Sequence, residues 1–129
     1  MSAIAVLHRR IDVTSGVPEG PPTRSVDRRP YTIVRVEGEL DATVAEEFHD
    51  ALGRAVTSSS RAVVLDFRPT RFLSIGSAQA LVAAKTMAAT LGVDLRVVSG
   101  RREIERILDK TGLRPLFRYY PSVEAALTE

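Results

Sequence analysis

The sequence has no cysteine and no tryptophan. The first absence removes disulfides, thiolate-bound metal and a thiol nucleophile. Its two histidines, His8 and His49, lie far apart and read as surface residues rather than ligands. Lysine is scarce too: of 18 basic residues only Lys85 and Lys110 are Lys. The arginines are spread along the chain, 16 acidic residues offset the cations to a net +2, and aromatics make up 5%. A nucleic-acid binder gathers its cations into a patch, so no nucleic-acid partner is expected. No apolar run approaches the roughly 20 residues that span a bilayer. The opening Ile4-Ala5-Val6-Leu7 is too short for a signal-peptide core and runs into His8-Arg9-Arg10. A cytoplasmic protein without membrane contact is the expectation. Gly-rich phosphate loops, a Gly-x-Ser-x-Gly elbow and clustered metal ligands are also missing. The chain therefore reads as a non-enzyme, with no catalytic residues, cofactor or metal.

What is there is an ordinary globular composition, 44% hydrophobic and 26% charged over 129 residues. That length fits one domain, 1–129. Strands are expected at Ile4–His8, Tyr31–Gly38, Ala62–Phe67, Asp94–Val98 and Leu116–Tyr119. Four of the seven prolines fall between Arg9 and Pro30. Residues 9–30 are therefore expected to be a flexible Pro/Gly-rich loop between the first two strands. Thr43-Val44-Ala45-Glu46 has the form of a capping box opening a helix to Val56. A second helix runs from Ser77 to Leu91, a third from Arg101 to Thr111, and a short one follows Pro121-Ser122. Gly92 and Gly112 stand where the second and third should end. Strands alternating with helices imply a largely parallel sheet of about five strands covered by about four helices. The first two strands should form an antiparallel edge. Val64, Leu65, Phe48, Leu52, Leu81, Ile104 and Leu108 are the expected core.

The organising stretch runs from Arg71 to Leu81. Ser74 stands where a helix would want its N-cap, and Gly76 leaves the helix start without a side chain. Ser77 adds a second hydroxyl at the same terminus, whose unpaired N–H groups and dipole favour negative charge. A capped, closely packed helix is the plain reading. A docking or phosphorylation site is the sharper one. Asp66, at the end of the apolar strand, is expected to pair with a loop donor or a nearby Arg rather than to do chemistry.

Three motifs carry a family resemblance over about Tyr31 to Leu127. Val36-Glu37-Gly38-Glu39-Leu40-Asp41 resembles the x-Gly-x-Leu-Asp that precedes the first helix of STAS domains. Val64-Leu65-Asp66-Phe67 with Phe72-Leu73 resembles the strand leading to that family's Asp-Ser-Ser-Gly-Leu. Ile107 to Leu113 and on to Phe117 resembles its Leu-x-x-Thr-Gly-Leu-x-x-x-Phe. The resemblance is to anti-sigma factor antagonists, also called anti-anti-sigma factors. It implies an α/β, STAS-like (SpoIIAA-like) fold and a regulatory module that binds an anti-sigma factor, a GHKL-type serine kinase, and so frees a sigma factor for transcription. The implied partner surface comprises Leu40, Asp41, Thr43, Leu73, Ser74, Ile75, Gly76, Ser77 and Ala78. At the switch the chain departs from the family. Ser74 holds the Asp position, Gly76 replaces the phosphorylated Ser, and Ser77 follows one residue later. The usual phospho-switch is thereby put in question, and Ser77, then Ser74, are the phosphorylation candidates. The resemblance leaves two alternatives: an accessory subunit of a lipid-transport ATPase, or a small-ligand sensor with a cleft near the same helix end. The expected state is a monomer or a weak dimer.

Overall fold

The computed structural model describes residues 3–5, 11–15, 29–98 and 100–128. A six-stranded sheet runs in the order β1 (Ala3–Ala5), β2 (Ile11–Ser15), β3 (Arg29–Val36), β5 (Ser59–Asp66), β7 (Asp94–Val98), β8 (Arg118–Tyr119). Its first three strands pair antiparallel, and β3, β5, β7 and β8 pair parallel. The expected antiparallel edge is therefore present. It has one strand more than expected, because Ile11–Ser15 lies inside the stretch read as a loop and sits between β1 and β3. Ile11 is 2% exposed and belongs to the core, which a loop residue would not. The remainder of that loop and the end of the first expected strand lie outside the described residues.

Four helices follow the expected plan: α1 (Ala45–Thr57), α2 (Ile75–Leu91), α3 (Arg102–Lys110) and α4 (Val123–Thr128). β5 lies between β3 and β7, so its residues from Ala62 to Asp66 are buried on both faces, as a nearly continuous apolar run requires. Val63 and Leu65 point into one core with Phe48, Leu52, Leu81, Ile104 and Leu108 of α1, α2 and α3. Val64 points the other way, with Val98 and Ala126 of α4. Three helices thus cover one face of the sheet and α4 covers part of the other. Gly92 and Gly112 both take φ of 74°, and the N–H groups that follow them bond back to Ala88 and Leu108 as in a Schellman ending.

The α4 side is tied down by a cation. The Arg96 side chain is 7% exposed, and its Nε donates to Asp94 Oδ2 at 2.9 Å. Nη1 donates to the carbonyl of Ala126 at 2.6 Å. Its guanidinium carbon lies 5.8 Å from the ring centre of Tyr31 and 5.9 Å from that of Tyr120. Burial pulls the guanidinium pKa down, but the Asp94 hydrogen bond and charge outweigh it and leave the value raised.

Two short strands remain, β4 (Gly38–Leu40) and β6 (Thr70–Leu73), which pair in parallel as a separate ribbon. Neither strand is among those expected from the sequence.

Candidate functional site

The ribbon of β4 and β6 builds the site. Leu40 pairs with Leu73, so the two strands deliver the chain side by side to two helix starts. After β4 come Asp41, a 3-10 turn at Ala42–Val44, and α1; after β6 come Ser74 and α2. Thr70 fixes the base of the ribbon, donating its buried hydroxyl to the carbonyl of Val36 at 2.7 Å. At the top, Ser74 N–H donates to the carbonyl of Leu40 at 2.9 Å.

Ser74 is the N-cap of α2, as expected: its Oγ accepts from the Ser77 N–H at 3.1 Å. Its hydroxyl donates to Ser77 Oγ at 3.1 Å, and the Ser77 hydroxyl donates to the carbonyl of Leu40 at 3.4 Å. This chain of bonds staples the β4 exit to the first turn of α2. On the α1 side the capping box is corrected. Thr43 lies inside the 3-10 turn, whose N-cap is Asp41, and α1 starts at Ala45 with Val44 as an N-cap that makes no side-chain hydrogen bond. Asp41 Oδ1 accepts from the Thr43 N–H at 3.0 Å and from its hydroxyl at 2.6 Å. An Asx turn one residue pair upstream competed with Thr43 for the role and took it.

All nine residues of the expected surface come together here, but they do not all reach solvent. Leu40, Leu73, Ser77 and Ala78 are buried, at 0%, 2%, 0% and 3% exposure. Asp41, Ser74 and Gly76 are half-buried, and Thr43 is exposed. Ile75 stands 72% exposed at the apex, with Phe72 of the ribbon 44% exposed nearby in sequence. Phe72 was not among the expected surface residues; its place in an alternating strand, opposite in phase to the buried Leu73, is the signal that could have found it. Of the two hydroxyl-bearing candidates, Ser77 is buried and Ser74 half-buried.

Asp66 is used structurally. Its carboxylate, 3% exposed, accepts from Arg68 Nε and Nη2 at 2.9 Å each and from the Arg68 N–H at 3.1 Å. That hydrogen bond and charge raise the Arg68 pKa. The loop donor and the neighbouring Arg anticipated for Asp66 are one residue. His49 is exposed on α1, while His8 lies outside the described residues. Among the described residues no group of three or more His, Asp or Glu could hold a metal, and no helix is long and apolar enough to cross a membrane.

A parallel ribbon feeding two adjacent helix starts, beside a mixed sheet with α4 on its far face, is a distinctive arrangement. A family model described as STAS domain matches residues 22–126. The chain belongs to the STAS domain family. Among solved STAS-like structures, an anti-sigma factor antagonist from Mycobacterium paratuberculosis is 26% identical, with TM-score 0.64, over 90% of this chain and 92% of that one. The anti-sigma factor antagonist SpoIIAA in its unphosphorylated form is 11% identical, with TM-score 0.61, over 81% of this chain and 91% of that one. The Bacillus cell fate determinant SpoIIAA in its phosphorylated form is 15% identical, with TM-score 0.61, over 81% and 95%. The last two share the fold with this STAS domain.

Proposed function

We propose that this STAS domain is an anti-sigma factor antagonist that docks its partner, a GHKL-type serine kinase, on the surface formed by Asp41, Thr43, Ser74, Ile75 and Gly76. The outcome of docking is release of a sigma factor for transcription. The observation that carries the reading is Ile75. An aliphatic side chain left 72% exposed, on a helix start stapled to a second loop, is a rigid apolar anchor with nothing to pack on. The likeness to the 26% identical antagonist supports the same reading.

The docking is constitutive in this proposal. Gly76 has no hydroxyl, and the Ser77 hydroxyl is enclosed and bonded on both sides. A kinase that reaches for the position of Gly76 finds nothing to modify.

The test is a pull-down from an extract of the native host with mass-spectrometric identification, followed by calorimetry on the protein recovered. Ile75→Asp should weaken binding at least ~10-fold while changing stability by no more than about 0.5 kcal/mol, as exposed substitutions do. Unchanged affinity in that variant would refute the surface. Recovery of a transport ATPase in place of an anti-sigma factor would refute the assignment.

A further inference from the structure

The two strands of the ribbon fall out of step by one residue. Gly38 pairs with Thr70 and Glu39 with Phe72, so one step on β4 is matched by two on β6, and Arg71 has no residue opposite it. This is a β-bulge. Its effect follows from the period of two along a strand. Leu40 and Leu73 are paired and both buried; Glu39 and Phe72 are paired and both exposed. Strict alternation back from Leu73 would turn Arg71 inward and Thr70 outward. With Arg71 set out as the extra residue, Thr70 stays at 0% exposure and keeps its bond to the Val36 carbonyl. Arg71 and Phe72 then both stand in solvent.

The bulge thus displays a cation and an aromatic ring on consecutive residues. Arg71 makes no hydrogen bond or ion pair with any described residue, and Phe72 is 44% exposed. Arginine and aromatic residues are enriched where proteins recognise one another. Bulges occur where a side chain has to be re-aimed. Phe72 is three residues from Ile75, so their Cα atoms are at most about 11 Å apart. The ~800 Å² that each partner gives to a standard interface is roughly 30 Å across. A partner seated on Ile75 is wide enough to cover Phe72 and Arg71 as well.

We propose that Arg71 and Phe72 are specificity-determining residues of the docking surface, and that the partner meets them with a carboxylate beside an apolar pocket. The proposal rests on the anti-sigma factor reading above. Charge complementarity fixes the chemistry of the counterpart. A guanidinium without an acid of its own loses hydration when covered, and only an anionic group restores it. Phe72 supplies apolar area, and Arg71 rejects partners that lack the acid. A charge on a short strand also hinders edge-to-edge aggregation, but that role moves solubility and not affinity.

Calorimetry with the recovered anti-sigma factor, at low and high salt, tests the pair. Phe72→Ala, Arg71→Gln, Arg71→Glu and Ile75→Asp are compared with the native chain. Phe72→Ala should bind at least ~10-fold more weakly. Arg71→Gln should lose about 3- to 10-fold, and its binding should weaken less than the native chain's as salt is added. Arg71→Glu should lose more than Arg71→Gln, the order that an acidic counterpart dictates. Thermal midpoints should stay near the native value, because both side chains are exposed. Native affinity in the Arg71 and Phe72 variants beside a weakened Ile75→Asp overturns this proposal and leaves the docking reading standing. Tighter binding by Arg71→Glu overturns it too. Native affinity in all four variants refutes the docking surface itself, and this extension with it.

Discussion

Gly76 and Ala45 face each other so closely that a β-carbon on Gly76 would stand 3.3 Å from that of Ala45. The two helix starts are thus packed against one another at Gly76, the position that the sequence resemblance sets against the family's phosphorylated serine. Gly76→Ala should lose about 0.5–1 kcal/mol, the overpacking exceeding the gain in helix propensity. With Ala45→Gly already in place the same substitution should become neutral or stabilising. Urea unfolding of the four proteins measures this, and additive effects would show that the two residues do not compete for space.

The enclosed hydroxyl of Ser77 makes a second case. Ser77→Ala removes a neutral bond to the Leu40 carbonyl and should cost about 1 kcal/mol. Ser77→Asp would bury a charge at a site with 0% exposure and should cost more than about 3 kcal/mol. A phosphate there would be tolerated no better. Incubation with ATP and the co-purified kinase should place no phosphate on Ser77. A mass shift that survives Ser74→Ala and vanishes in Ser77→Ala would contradict this.

Arg96 should be among the costliest surface-remote residues to truncate. Arg96→Ala leaves the Asp94 carboxylate and the Ala126 carbonyl without their donor and strips a cation from between two rings. Asp94 is 32% exposed and keeps Arg118 Nη1 at 3.9 Å, so the loss should come mainly from the unpaired Ala126 carbonyl and the lost packing of the guanidinium, at about 1–3 kcal/mol. Hydrogen exchange should show α4 opening first, because Ala126 sits on it.

Tyr119 gives a test in alkali. Burial pushes its hydroxyl pKa up to about 12, and its Oη is buried without a hydrogen bond. A raised folded-state value means that the folded protein holds the proton longer than the unfolded chain does. Its contribution is complete below about pH 10, the ordinary tyrosine value, and is lost as pH rises through 12. Tyr119→Phe should therefore flatten the stability profile between those values. At neutral pH it should be neutral or stabilise by up to about 1 kcal/mol, having removed an unsatisfied polar atom. Thermal unfolding across that range measures both.

The parallel strands and the helices were legible because their periodicities are long and unbroken. Ala62 to Asp66 reads as a central strand and is one; Phe48, Leu52, Leu81, Ile104 and Leu108 read as core and are buried. β2 was hidden by its polar end, Thr14-Ser15, running into a glycine and prolines, so its partners in space outweighed its local composition. The β4 and β6 ribbon was hidden for another reason: three residues carry no period, and the strand that completes them lies some thirty residues away. That the nine residues of the expected surface belong to neighbouring segments was legible through the resemblance. Their division into buried and exposed members was not, since it depends on that unread ribbon.

That division has a use in engineering. Leu40, Leu73, Ser77 and Ala78 hold the frame, Asp41 and Thr43 cap its edge by bonding each other, and Ile75 and Phe72 reach outward from it. Frame and readout are separate inventories on adjacent positions. On the docking surface proposed above, transplanting the outward pair from another STAS domain onto this backbone should therefore exchange the address of the molecule and leave its architecture alone.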